Sequence, residues 1–181
     1  METCAECGYC YGALGRPGIA PELRALARRY RDVLHGSGGE RLRAHPRADT
    51  WSALEYACHV RDVLAVQRQR VQLARTEEQP AFASMRREER VLEERYNAQE
   101  PTEVAGRIQG GADALATTLE ALDDAGWRRT GVYQWPTTAV RTVEWIGRHT
   151  VHECVHHLQD ISLLVSHDPG GDATTRQPTA T

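Results

Sequence analysis

The fourteen residues from Arg148 to Ile161, RHTVHECVHHLQDI, constrain this chain more than any other stretch. They hold four of its eight histidines together with the carboxylates Glu153 and Asp160. At ~100° per residue, a helix puts Val143, Thr150, Cys154, Leu158, Ile161 and Val165 on one side, an apolar stripe that must face a core. Glu153 and His157 fall one turn apart at the margin of that stripe, with Ile146 and Leu164 on their side, while His152 and His156 point away from the core. Polar groups placed so are costly to bury unpaired, so Glu153 and His157 either bond each other or are compensated by a divalent metal. Two ligands do not make a site, and a third must come from elsewhere. Read plainly, the same stretch is an amphipathic helix with solvated histidines on its outer face.

A chain of 181 residues is long enough for one domain with a proper core. Its formal charge of −3 and pI near 6.2 give no electrostatic reason to expect nucleic acid or an anionic membrane as partner. Every basic residue is arginine, which excludes Schiff-base chemistry and a P-loop lysine on this chain. No apolar run approaches the ~20 residues of a membrane span, and the first residues lack the pattern of a signal peptide. The expected compartment is the cytoplasm, where the five cysteines are thiols or metal ligands rather than bridges.

Along the chain, helical periodicity appears four times. Pro21 is expected to open the first helix, with Leu23, Leu26, Ala27, Tyr30 and Leu34 inside and His35-Gly36-Ser37-Gly38-Gly39 as its stop. Ser52 and Glu55 have the form of a capping box for a second helix that runs to about Arg75. His59 stands in its middle, one turn from Glu55, Tyr56, Asp62 and Val63. A lone histidine there is more often a hydrogen-bonded core residue than a ligand, but the downstream Glu153/His157 pair makes it the natural third ligand. The charge-dense segment from Thr76 to Asn97 reads as a loop and a short helix, with Tyr96-Asn97 placed to line a cleft. Pro101 opens a third long helix that ends at Asp123-Asp124-Ala125-Gly126, and Gly110-Gly111 within it marks a close helix approach. After an aromatic connection from Trp127 to Pro136, Thr137 or Thr138 is expected to cap the last helix, which runs to about Ser166. Cys58 and Cys154 lie inside helical patterns as small buried hydrophobes.

The expected architecture is therefore all-α: a four-helix bundle over residues 21–166, preceded by a short Cys-containing extension (1–20) and followed by a disordered tail (167–181). The extension carries Cys4-x-x-Cys7-Gly8-x-Cys10. Such a turn presents two thiolates to one zinc ion, and Cys10 adds a third, with His35 or His45 as candidates by position for a fourth. The alternative is a disordered remnant of a zinc ribbon.

Trp51-Ser52 followed by His59, then His152-Glu153-x-x-His156-His157-x-x-Asp160-Ile161, resembles the DinB-like metal-binding four-helix-bundle superfamily. Within it, the motifs are similar to those of actinobacterial members related to the mycothiol-dependent maleylpyruvate isomerases. There the last helix carries Glu-x-x-x-His-x-x-Asp-hydrophobic, which maps onto Glu153, His157, Asp160 and Ile161. Other members have His-x-x-x-His, a spacing that His152 and His156 satisfy in a different frame. The helical wheel and the Asp160-Ile161 anchor both favour the glutamate frame, and with it the ligand set His59, Glu153 and His157. The resemblance implies a divalent metal, zinc before nickel or iron, and a low-molecular-weight thiol of the mycothiol type as co-substrate.

The expected activity is metal-dependent thiol transfer or isomerisation of a small electrophile, with Tyr96 or an arginine near the pocket orienting an anionic substrate. Metal-dependent hydrolysis, in which bound water replaces the thiol, is the nearest alternative. A different class is a non-enzymatic, redox-responsive or metal-responsive binding protein that works through Cys4, Cys7 and Cys10. The expected partners are small molecules, and a homodimer is left open.

Overall fold

The computed structural model describes residues 2–134 and 137–166. Four long helices dominate it: α1 (Arg16–Gly36), α3 (Ala53–Thr76), α5 (Pro101–Glu120) and α7 (Val143–Ser166). Shorter pieces join them: α2 (Gly39–Arg43), α4 (Arg87–Glu93), a 3₁₀ turn (Tyr96–Ala98) and α6 (Asp124–Arg128). In the bundle, α1 and α3 each pack against both α5 and α7. Ion pairs from Arg16 to Glu144 at 2.6 Å and to Asp124 at 3.2 Å bring the starts of α1 and α7 beside the end of α5. Gln67 on α3 donates to Tyr133 Oη at 2.7 Å, just ahead of α7, so α3 runs against α7. Hence α1 and α7 point one way, α3 and α5 the other. Consecutive α3 and α5 are parallel neighbours, which demands the long crossover from residue 77 to residue 100.

Each helix forms for local reasons. At α3 the capping box is complete, with Ser52 Oγ accepting from the Glu55 N–H at 3.2 Å and Glu55 accepting from the Ser52 N–H at 2.7 Å. Asn97 braces the cap by accepting from Ser52 Oγ at 2.8 Å. The core is apolar and continuous: Leu23, Leu26 and Tyr30 from α1, Leu54, Val60 and Leu64 from α3, Ile108, Leu115 and Leu119 from α5, and Ile146, Leu158 and Ile161 from α7. Each such side chain contributes about 1.5–3 kcal/mol by leaving water. A Cβ added at Gly111 would lie 3.3 Å from Leu64 Cβ, so the expected close approach is made by this glycine, between α5 and α3.

Three expectations need correction. Residue Pro21 does not open α1 but lies inside it; the helix starts at Arg16 and Pro17 takes the first-turn position, where a missing N–H costs nothing. The connection after α6 is not irregular: β1 (Thr130–Tyr133) and β2 (Ala139–Thr142) pair antiparallel, with Thr130 opposite Thr142, in an otherwise helical fold. That hairpin takes up the residues assigned to the start of the last helix. Neither Thr137 nor Thr138 caps α7, because Thr142 Oγ1 accepts from the Trp145 N–H at 3.1 Å and does so instead. Trp135, Pro136 and the expected tail of 167–181 lie outside the described residues. Among the described residues, no helix is long and apolar enough to cross a membrane.

Candidate metal centre

Helix α7 meets α3 with Cys154, Leu158 and Ile161 buried, and that rotation turns Glu153 and His157 toward His59. His59 Nε2 lies 4.0 Å and His157 Nε2 3.8 Å from the same oxygen, Glu153 Oε2. The two imidazole rings stand edge to face at 5.1 Å. One donor atom from each of the three residues lies within 4.8 Å of the others. Neither imidazole is close enough to the carboxylate to hydrogen-bond, so the polar pair is not satisfied by its own members. Donors about 2.0–2.2 Å from one tetrahedral ion are about 3.3–3.5 Å apart, so the carboxylate lies within roughly half an ångström of the separation that one ion would impose between it and each imidazole.

The surroundings prepare each donor. Burial, joined by the charge of His157, lowers His59 to about 4 and keeps it the neutral base a metal needs. His157 Nδ1 is 2.9 Å from Asp160 Oδ2, a contact that holds the proton on Nδ1 and leaves Nε2 free to face the centre. This is the physical content of the Asp160 anchor. Burial works to raise Glu153, but the His152 hydrogen bond and the neighbouring His149, His157 and His59 outweigh it and hold the carboxyl at about 2. While Oε2 faces the donors, Oε1 lies 3.7 Å from His149 Nε2 and 3.4 Å from His152 Nδ1.

Aromatic rings close the site. Trp51 stands edge-on to His59 at 5.4 Å, and Tyr56 stacks on His157 at 5.3 Å. On the far side, His149 stacks on Trp145 at 4.5 Å. Tyr11 lies in hydrogen-bond range of both His149 Nδ1 (2.7 Å) and His152 Nδ1 (3.0 Å). Sequence reasoning gave no role to Tyr11 or His149. Nothing in the periodicity links residue 11 to α7, although His149 sits one turn before Glu153 and spacing could have shown it.

Tyr96 is placed elsewhere. It is 1% exposed and donates its hydroxyl to Asp62, which Arg61 also binds at 2.7 Å. Its ring belongs to the core under the crossover and not to a cleft. The arginine whose charge reaches both His59 and Tyr56 is Arg87, at the start of α4. Two shallow surface depressions, one at Arg128–Thr130 and one between Pro17 and Trp127, lie away from these donors.

The extension also differs from expectation. Cys4 and Cys7 lie with His152 and His156, their donor atoms within 4.8 Å of one another. Cys10 is not among them; its backbone forms an antiparallel bridge with Thr3. His45 bonds the Thr50 carbonyl at 2.9 Å, and His35 sits in the last turn of α1, so neither completes a set with the thiols. The outward-pointing histidines of α7 are covered rather than solvated, because residues 2–15 fold back over them.

Comparison with known proteins agrees with this architecture. The bundle superimposes on YfiT from Bacillus subtilis with a TM-score of 0.73 at 17% identity, over 84% of this chain and 90% of that one. That protein is described as a probable metal-dependent hydrolase with an unusual four-helix bundle topology. None of the curated proteins matches the sequence. The model of the DinB superfamily matches residues 22–161, from the first helix through the Asp160-Ile161 anchor, and the chain belongs to that superfamily.

Proposed function

We propose that the protein is a divalent-metal-dependent enzyme that holds its ion at His59, Glu153 and His157 and activates a low-molecular-weight thiol of the mycothiol type. The thiol is transferred to a small electrophile or drives its isomerisation. One observation carries this reading: three nitrogen and oxygen donors converge from two helices, none satisfied by the others, and three is one fewer than a closed structural site needs. A divalent ion there, zinc before nickel or iron, supplies Lewis acidity that makes a thiolate or hydroxide available near neutral pH.

The chain's own residues do the rest. Asp160 keeps the proton on His157 Nδ1, and His149 with His152 holds the outer oxygen of Glu153, so the donors are positioned before anything binds. Trp51 and Tyr56 shield the imidazoles from water. We assign Arg87, whose charge reaches His59 and Tyr56 and which here pairs with Glu88 at 3.0 Å, as the cation that would meet an anionic substrate. This reading requires a cytoplasmic small-molecule thiol as partner, and no nucleic acid.

Hydrolysis is the second reading, favoured by the description of the Bacillus subtilis bundle with the same fold. Metal-loaded protein incubated with candidate electrophiles, with and without mycothiol or a surrogate thiol, separates the two by product mass together with chromatographic retention, which reveals an isomer of unchanged mass. A thioether or thiol-dependent isomer supports transfer; turnover unchanged by omission of thiol overturns it in favour of hydrolysis. Arg87→Ala is expected to raise KM for an anionic substrate about tenfold with kcat little changed, the signature of lost uniform binding.

A further inference from the structure

We propose that Cys4, Cys7, His152 and His156 form a second, closed zinc site that fastens residues 2–15 to the outer face of α7. Two thiolates and two imidazoles are the donor set of a structural tetrahedral zinc, with no position left for a substrate.

The local geometry is that of a knuckle. The Gly8 N–H bonds the Cys4 carbonyl at 3.0 Å and the Cys4 N–H bonds the Tyr9 carbonyl at 2.9 Å, curling the chain so that both thiols face the same way. Gly8 has φ +72, a left-handed conformation that suits glycine. Cys4 Sγ lies 3.8 Å from His156 Nδ1; one zinc ion would separate a sulfur and a nitrogen donor by about 3.5 Å. Both cysteines are free thiols.

The histidines carry the independent observation. His152 Nε2 is buried without a hydrogen bond of normal geometry, and the side chain that lies against its ring is the Cys4 thiol, so this nitrogen is compensated by that thiol or by an ion shared with it. Its other nitrogen is engaged by Tyr11 at 3.0 Å, while the same hydroxyl reaches His149 at 2.7 Å. A single hydroxyl proton serves one imidazole only. The assignment that satisfies the group has Tyr11 donating to His149 and the His152 Nδ1–H shared between Tyr11 and Glu153 Oε1, which leaves a lone pair on His152 Nε2. His156 Nε2 is 3.3 Å from Glu6 and 3.8 Å from Asp160, carboxylates that hold its proton and leave Nδ1 free for the ion.

Residues 2–15 need such a fastening, since none of them is buried. Beyond the cysteines they are held by the Tyr9, Tyr11 and His152 ring contacts, by Gln159 donating to the Cys7 carbonyl at 3.3 Å and by Arg148 donating to the Leu14 carbonyl at 2.9 Å. The second ion therefore also sets Tyr11, and through it the histidines that brace Glu153.

Cobalt substitution tests the proposal. Protein stripped by chelator under reducing conditions and reloaded with cobalt is expected to bind two equivalents and to show a thiolate-to-cobalt charge-transfer band. Cys4→Ser and Cys7→Ser are each expected to lose that band and one equivalent while circular dichroism reports an intact bundle. His156→Ala, which leaves every thiol in place, is expected to weaken cobalt binding at this site at least tenfold. Cys10→Ser and His59→Ala are expected to keep the band. A wild-type protein without the band, or its survival in Cys4→Ser, overturns the proposal; its loss in Cys10→Ser replaces this donor set with the three-cysteine one. Retention of both equivalents in His59→Ala overturns the inner triad alone and leaves this site standing.

Discussion

The two faces of α7 around residue 155 present the same residue type to different partners. On the inner face, His157 joins Glu153 and the α3 residue His59, all drawn from rigid helices and shielded by Trp51 and Tyr56. On the outer face, His152 and His156 meet Cys4 and Cys7 from an irregular segment with no buried residue of its own. Three nitrogen and oxygen donors on rigid helices suit chemistry; four donors that include two thiolates, on a segment with little else to hold it, suit structure. A spacing of four residues on one helix therefore does not reveal what a histidine there does. What faces it decides.

The largest expected difference lies in the inner set. His157→Ala and His59→Ala are each expected to abolish activity and lower metal content by one equivalent, with the outer cluster unaffected; full metal stoichiometry in both, by elemental analysis, breaks the distinction at once. Removing residues 2–12 is expected to leave the bundle folded and the inner metal bound, with activity lowered because Tyr11 no longer holds His149 and His152. If deletion unfolds the bundle by circular dichroism, the outer face is no mere attachment.

Asp160 belongs to both faces, touching His157 at 2.9 Å and His156 at 3.8 Å. Asp160→Asn is expected to weaken inner metal affinity about 10–100-fold and outer affinity less, in step with these distances. Metal titration monitored by competition with a chromophoric chelator reads both; equal losses would erase the contrast.

The smallest effect concerns the α3 side chains beneath the crossover. Asp62 is buried with Arg61, Arg90 and Tyr96; burial would raise it, but the Arg61 and Tyr96 hydrogen bonds dominate and lower it below the usual carboxylate range. A folded pKa below the unfolded value of about 3.9 means that this stabilisation is complete above that pH and is lost as pH falls through the folded value. Asp62→Asn is expected to flatten the acid limb of a stability–pH curve below about pH 4 while the extension's contacts are unchanged. Wild type and variant with parallel acid limbs would show that Asp62 adds nothing there.

The sequence made the inner face legible because helices announce themselves: an apolar stripe of period 3.6, a complete capping box at Ser52, and an i, i+4 carboxylate–imidazole pair at its margin. The outer face was half legible. The Cys-x-x-Cys turn is visible in the sequence, but its partners are not, since a short irregular segment has no periodicity to show which surface it covers. On the wheel, His152 and His156 face away from the core, and only the fold-back of residues 2–15 makes that outside an inside. The β1–β2 hairpin escaped for a related reason: strands of four residues are too short for alternation to stand out. Tyr96 was misplaced because an aromatic residue after a charged helix reads equally as cleft lining or as core.

Anomalous scattering from a crystal of zinc-loaded protein tests the central claim most directly. One peak enclosed by His59, Glu153 and His157 is expected, with a separate one enclosed by Cys4, Cys7, His152 and His156. No density among the first three, with their side chains hydrogen-bonded to one another or turned to water, would contradict it.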